Sequence, residues 1–381
     1  MSDTTIEIRE IAGRKGLEQF VKFPFELYKS SPNWVPPIIK EEIDNFDPEK
    51  NPAYREADAW FYMAFKNNTP VGRIAVIVNW PEVKELGKPK IRFGWFEAIN
   101  DMAVAKKLFK KVAEKGRELG LEYAEGPAGF TNMDKAGMLL EGFDRPGSMS
   151  TYYNPPYYNT LMEDAGFTKE IDWKEYEIDV PKGVPPKVDK FAGLVMERFG
   201  LHLLKFKTNK ELLPYADKIF DLMNKAYGSL QSFTPIKPYQ VAHYKQKFLK
   251  FIHPDYIALI ADKQGELVAF SVVMPSFTKA LQKANGKLFP FGFYHLMRAM
   301  KKNDKATLLL IGVSPEYTGK GITAIIFKEV INLFNAKGVK VVETNPELET
   351  NNQVQALWKD YDPRLIKKWR TYRKELSKFE A

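Results

Sequence analysis

Two kinds of hydrophobic spacing alternate along the chain. Short, nearly continuous apolar runs rich in β-branched and aromatic residues predict strands at 5–11, 59–65, 72–79 and 91–99, the middle pair joined by the hairpin-like turn KNNTPV. Between them, apolar residues spaced three and four apart predict helices over GLEQFVKFPFELYKS and AVAKKLFKKVAEKGREL (103–119). The first of these stops at the proline-rich SPNWVPPI, and the second closes on Gly120 with basic residues in its last turns. A short strand-like YAEGPAG (123–129), a helical PPYYNTLMEDAG and a strand WKEYEIDV (173–180) complete the first half.

PKGVPPK (181–187) carries three prolines in seven residues and marks the expected boundary, followed by a bridging helix VDKFAGLVMERFG. After it the order repeats. A strand at 201–207, the helix LLPYADKIFDLMNKAYG, strands at 256–262 and 267–274, the run TLLLIGV, a helix at 323–337 and a strand at 340–345 follow one another. The expectation is an α/β (α+β) chain of two similar modules, 1–182 and 200–381, joined by a linker over 183–199. Each module should be a twisted mixed sheet flanked by helices.

Composition narrows the chemistry. With 381 residues, 44% hydrophobic and 28% charged, the chain has the makeup of a globular protein large enough for two cores. The N-terminus lacks the order of a secretory signal and no apolar run reaches the length of a bilayer span, so a cytoplasmic protein is expected. Cysteine is absent, which excludes an acyl-cysteine intermediate; the four histidines show no metal-ligand spacing, so no metal is expected. The net charge of +9 favours anionic partners without choosing among them.

The most informative stretch is GVSPEYTGKGIT (312–323), a glycine-rich turn between an apolar strand and a helix. Its free backbone amides, the helix dipole and the missing Cβ atoms at Gly319 and Gly321 suit a phosphate or diphosphate. It is neither a Walker loop nor a GxGxxG fingerprint, because the spacing fails both. It resembles the GNAT superfamily of acyl-CoA N-acyltransferases, whose fourth strand ends in V-x-P-x-x-[R/Q]-x-x-G-x-[G/A]. Val313, Pro315, Gly319 and Gly321 carry the match, while Thr318 and Thr323 depart from it. The resemblance implies one coenzyme A site per chain, in the second module, with the first a degenerate copy in which FGWFEAINDMAVAKK replaces the turn. RFGWFE, GPAGFTNMDKAGMLLEGFD, NPPYYNTLMEDAGF and ETNPELETNNQ further resemble a long bacterial branch that includes ceramide synthases, which N-acylate a long-chain base.

Acyl-CoA is therefore the expected co-substrate and a primary amine the expected acceptor. The resemblance assigns cofactor contacts to Ile311, Val313, Thr318, Gly319, Lys320, Gly321, Thr323 and Asn351 (or Asn352). Glu343, Glu347 and Glu349 are candidate bases, Glu343 lying on the strand beside the cofactor strand. In the register of the family's usual tyrosine acid stand Trp358 and Lys359, so Tyr361 or Tyr372 is the expected substitute. In the first module Asp134, Glu141 and Asp144 are candidates for holding a cationic amine.

Residues 275–306 form an insertion between the predicted third and fourth strands, and its stretch 276–305 carries seven basic residues, one acid and five aromatics. A cationic, apolar segment of this kind suits an anionic membrane surface or a roof over an acyl chain, and the basic RLIKKWRTYRK extends the same face. Two alternatives stand beside this reading: a peptidoglycan-type transferase that takes its acyl group from aminoacyl-tRNA, and a non-catalytic adaptor. No nucleic acid is expected under the acyl-CoA reading.

Overall fold

The structure is a computed structural model that describes residues 5–230, 233–248 and 252–380. Fourteen strands build one sheet. They are β1 (Ile6–Ile11), β2 (Ala57–Lys66), β3 (Thr69–Asn79), β4 (Lys90–Ala98), β5 (Tyr123–Gly126), β6 (Met138–Glu141), β7 (Thr168–Asp179), β8 (His202–Leu204), β9 (Ile257–Ala261), β10 (Leu267–Pro275), β11 (Lys305–Val313), β12 (Val341–Thr344), β13 (Glu347–Leu348) and β14 (Arg364–Glu375). Their order is β1-β2-β3-β4-β5-β14-β7-β12-β11-β10-β9-β8, with β6 beside β14 and β13 beside β7.

The two halves of this order repeat each other. In each, a meander of antiparallel strands ends in a parallel pair, β4 with β5 and β11 with β12. The parallel pairs need crossover helices, and Met102–Glu118 and Thr323–Lys337 supply them. Each half also carries a one-residue bulge in the strand before the crossover: Arg73 and Ala75 face Glu97 and Gly94, while Val272 and Val273 face Leu310 and Leu308.

The centre of the sheet is where the linear division gives way. The C-terminal strand β14 does not stay with the second module; it lies between β5 and β7, with Tyr372 opposite Gly126 and Trp369 opposite Trp173. In turn β7, from the first half, pairs with β12, Ile178 facing Val342. Each module thus receives its last strand from the other half of the chain. Ile366, Lys367, Trp369, Thr371 and Tyr372 are all buried, as residues on both faces of a central strand must be. The RLIKKWRTYRK stretch is therefore a covered strand, which corrects its assignment to a membrane face. Residues 183–199 are not a free connector either. Pro186–Phe199 is a helix whose Ala192 and Val195 are buried in one core with Ile322, Ile325 and Ile326 of the crossover helix.

The insertion forms two helices, Thr278–Ala284 and Gly292–Lys301. Among the described residues no helix is long and apolar enough to cross a membrane.

Candidate acyl-CoA site

The parallel pairing of β11 with β12 runs from Lys305 opposite Val341 to Leu308 opposite Thr344, and one further bond, from the Asn345 amide to the Leu308 carbonyl, closes it at 2.9 Å. Beyond that point β11 continues to Val313 paired only with β10. The two strands splay, and residues 309–313 keep one edge free. The Ser314 amide donates to the Val268 carbonyl on the β10 side at 2.8 Å. Alternation along the strand then turns the main-chain groups of Ile311 and Val313 toward the opening. The Tyr227 hydroxyl, from helix Ala216–Tyr227, reaches that edge and donates to the Ile311 carbonyl at 2.9 Å. Burial pushes the Tyr227 hydroxyl well above its ordinary range, so it stays protonated and keeps its hydrogen bond to Ile311.

At the end of β11 the chain turns through Pro315–Tyr317 into the loop 318–322. Gly319 and Gly321 have φ of 75° and 80°, a region that costs any L-residue strain. Within the loop the amides of Thr318, Lys320, Ala324 and Ile325 are bonded to carbonyls three residues back. Those of Gly319, Gly321, Ile322 and Thr323 have no acceptor among the described residues. The helix beginning at Thr323 has no side-chain cap. Its N-terminal donors and dipole are thus open to an anion, and Lys320 is exposed beside them, its ammonium over the rings of Tyr317 and Phe199. Thr318 is exposed, its hydroxyl 3.5 Å from the Ser314 carbonyl.

The two glycines differ in surroundings. A Cβ at Gly319 would meet nothing within 4 Å, whereas one at Gly321 would stand 2.6 Å from the Phe191 ring. Gly321 is needed for close packing against the helix Pro186–Phe199 as well as for its backbone angle. A bulky residue there tests packing before it tests anion binding.

The corresponding place in the first module is filled. Asp101 caps the helix Met102–Glu118, its carboxylate accepting from the Ala103 amide at 2.8 Å and the Val104 amide at 3.4 Å. A phosphate approaching that terminus would meet a carboxylate already in place. The open end of β4 is also occupied: the Ala98 amide donates to the Tyr158 hydroxyl at 3.0 Å, and the Tyr157 hydroxyl donates to the Ala98 carbonyl at 2.7 Å.

The expected acids and bases scatter. Glu343 sits opposite Glu177 and Thr307, sharing Lys305 with Glu177 at 3.1 Å each. Glu349 is bound by Lys169 at 2.6 Å on the far side of β7. Asn351 caps the short helix Asn352–Trp358, accepting from the Val354 amide, so it holds a turn in place. Tyr372 is 1% exposed in the first module's core and donates to Asn159 at 2.8 Å, which removes it from the splayed edge. In the first module Asp134 staples its own loop through the Thr131 amide at 2.9 Å, Glu141 pairs with Lys368 at 2.6 Å, and Asp144 is exposed. The three carboxylates do not converge on one pocket.

Two carboxyls flank the splay: Glu347, one of the expected bases, and Glu175, which was not among them. Glu347, on β13, accepts from the Trp358 indole at 2.6 Å; its second oxygen is buried without a partner, and burial raises its pKa to about 7. Glu175, on β7, shares a sheet face with Glu177 and hence with Glu343. It is 2% exposed, pairs with Lys367 at 3.2 Å, and leaves one oxygen unpartnered. Burial pushes its pKa up to about 7 against the pull of Lys367, with Glu343 adding to the rise. Sequence reasoning missed Glu175 because β7 reads as an alternating surface strand; only its neighbours β14 and β12 bury it. Above this face lies the first module's loop: Ser150 donates to Asn345 at 3.0 Å and Arg145 reaches Glu177 at 3.1 Å.

Comparison with known proteins agrees with this geometry. Residues 217–361 match the acetyltransferase (GNAT) family model. The chain is 26% identical to Protein YghO of Escherichia coli (strain K12), over 97% of this chain and 95% of that protein. It is 24% identical to the bacterial ceramide synthase of Caulobacter vibrioides (strain NA1000 / CB15N), over 94% and 95% of the two chains. Among solved structures, a tandem GNAT protein from the clavulanic acid biosynthesis pathway superposes with a TM-score of 0.57 at 13% identity, covering 98% of this chain and 99% of that one. Residues 217–361, with the splayed strand and the uncapped glycine turn, thus match the GNAT acetyltransferase family, and the whole chain shares the fold of a tandem GNAT protein.

Proposed function

We propose that the protein transfers an acyl group from coenzyme A to a primary amine by direct attack, at a single site in the second module. The observation that carries this reading is the open edge of β11 running into a helix N-terminus with unbonded amides at Gly319, Gly321, Ile322 and Thr323. The edge suits the extended, amide-bearing arm of coenzyme A, and the turn suits its diphosphate. The Asp101 cap and the Tyr157 and Tyr158 plug argue against a second such site.

In this reading the Ile311 amide faces the thioester carbonyl and stabilises the charge that develops on its oxygen. The amine enters on the face that carries Glu175, beneath Arg145 and Ser150. Glu175, with its pKa near neutrality and an unused oxygen, accepts the proton that the amine loses as the C–N bond forms and the C–S bond breaks. The departing thiolate takes its proton from water. No enzyme-bound acyl group is needed, in keeping with a chain that has no cysteine.

The acceptor is a long-chain, lipid-like amine. The name of the Caulobacter relative supports this, and so does the apolar insertion beside the splay: its Leu296 and Met300 pack in one cluster with Leu309, the bulged residue of β11. The test is incubation of the purified chain with acyl-CoAs of graded length and a panel of amines, soluble and long-chain, reading free thiol and amide together. Equal amounts of thiol and amide, favouring the long-chain amine, are expected. Absence of thiol release with every pair, together with no coenzyme A binding by calorimetry, would overturn the reading.

A further inference from the structure

The insertion between β10 and β11 is held firmly on one side and has nothing on the other. Its inner side is anchored to the first module. The Ile39 amide donates to the Gly286 carbonyl at 2.9 Å, Gln282 donates to the Pro32 carbonyl at 2.7 Å, and Thr278 donates to the Gly147 carbonyl at 3.2 Å. Leu281 is buried beside Val35 and Met274, with Leu296, Ala299 and Met300 packed against them. The helix Gly292–Lys301 has thereby spent one face on the core.

Its outer face is also apolar. Phe289 and Phe291 are 77% and 72% exposed, and Phe293, Tyr294 and Met297 stand beside them at 49%, 59% and 39%. These are five of the eleven large apolar side chains exposed among the described residues, gathered within nine positions, so they form a patch and not the usual scatter. Phe289 and Phe293 stack at 6.4 Å, giving the patch a fixed crest.

The charges that the chain carries from Ser276 to Asn303 are all of one sign. Lys279, Lys283, Lys287, Arg298, Lys301 and Lys302 are exposed, and none has an acidic partner among the described residues. No aspartate or glutamate occurs from Ser276 to Asn303. Elsewhere on the molecule surface lysines are widely paired, as Lys205 is with Glu329 and Lys245 with Asp217. An aromatic crest ringed by unpaired cations on a rigid mount matches an anionic lipid surface: the rings enter the headgroup boundary while the cations meet phosphates. A protein partner would need an apolar, acidic surface in mirror image.

We propose that the 276–304 insertion docks the enzyme on an anionic bilayer, Phe289, Phe291, Phe293, Tyr294 and Met297 entering the interface. The surface stands on its own exposure and charge. What rests on the acyl-transfer reading is its purpose: because Leu296, Met300 and Leu309 pack against the same buried cluster, docking sets the membrane close to the splayed strand, where a lipid amine would be handed over.

The test uses the full chain and sedimentation with vesicles of phosphatidylcholine alone or mixed with phosphatidylglycerol. Wild type should sediment with the anionic vesicles and be released by salt. Phe289→Ser/Phe291→Ser should weaken partitioning by at least about tenfold. Lys283→Gln/Lys287→Gln/Arg298→Gln should abolish the preference for phosphatidylglycerol. All these positions are exposed, so unchanged melting temperatures are expected, and coenzyme A binding by calorimetry should match wild type. Failure of wild type to bind anionic vesicles, or equal binding by the aromatic variant, overturns the proposal. So does a lipid-free dimer that the aromatic variant dissociates. Vesicle binding with no thiol release from any acyl-CoA would sink the acyl-transfer reading and leave the docking surface intact.

Discussion

Tyr372 lies opposite Gly126 across an antiparallel ladder, so a residue of the last strand completes the sheet of the first module. The hydroxyl of the same residue is bonded to Asn159, also in the first half. The exchange of β7 and β14 makes the modules mutually dependent, because neither half of the chain contains all the strands of its own sheet.

Ending the chain before Arg364 should therefore unfold both modules together. Trp369 and Tyr372 are 0% and 1% exposed, and losing a buried aromatic side chain typically costs about 3–5 kcal/mol. The check is far-UV circular dichroism with thermal melting of the truncated chain. A native, cooperative melt would contradict the strand exchange.

Gly319 separates charge from bulk at the glycine turn. With open space around it and φ of 75°, the position tolerates Asn and Asp, which visit this region more readily than other residues. Gly319→Asn should keep most coenzyme A affinity, while Gly319→Asp should lose at least about tenfold more, by setting an anion beside the diphosphate. Isothermal titration would read the pair, and equal affinities would place the diphosphate elsewhere.

If Glu175 takes the amine proton, kcat/KM should rise with pH along a limb near 7, where its carboxyl ionises. Glu175→Gln should remove that limb and lower kcat by about 10²–10⁴-fold, with coenzyme A affinity retained. Glu347→Gln should leave the limb in place. A limb that moves with Glu347 and ignores Glu175 would transfer the role.

The raised pKa of Glu347 also has a stability consequence. Its native value of about 7 lies above the ordinary 4.5, so the folded chain holds a proton that the unfolded chain releases. Stability from this group is full below about 4.5 and is lost as pH rises through about 7. Glu347→Gln should therefore raise the melting temperature at pH 8 more than at pH 5. A gain of equal size at both pH values would argue that the carboxyl is not buried neutral.

The Glu175–Lys367 pair should show strong coupling. Both side chains are almost fully buried, at 3% and 2% exposure. Lys367→Met alone raises the Glu175 carboxyl further and leaves it neutral near pH 7, so its cost should grow as the pH rises above neutrality, whereas the double change Glu175→Gln/Lys367→Met should remove that pH dependence. Chemical denaturation of Glu175→Gln, Lys367→Met and the double variant is the measurement.

Much of the architecture was legible locally. The apolar runs at 59–65, 72–79, 256–262 and 267–274 fall within observed strands or overlap them, and the crossover helix at 323–337 is found at its predicted bounds. These elements report their own periodicity, which needs no partner to be read. The glycine turn was legible for the same reason: backbone freedom and an uncapped helix start are properties of adjacent residues. The sequence by itself thus determined the repeated strand and helix order, the glycine turn at Gly319 and Gly321, and the absence of a thiol nucleophile. Tertiary structure alone decided the rest. Whether Glu175 is a solvated surface acid or a buried carboxyl depends on β14 lying beside it, and whether RLIKKWRTYRK is a basic face or a central strand depends on β5 and β7. Strand neighbours are chosen by long-range pairing, and a carboxyl's pKa by what covers it, so neither quantity is encoded in the residues immediately alongside.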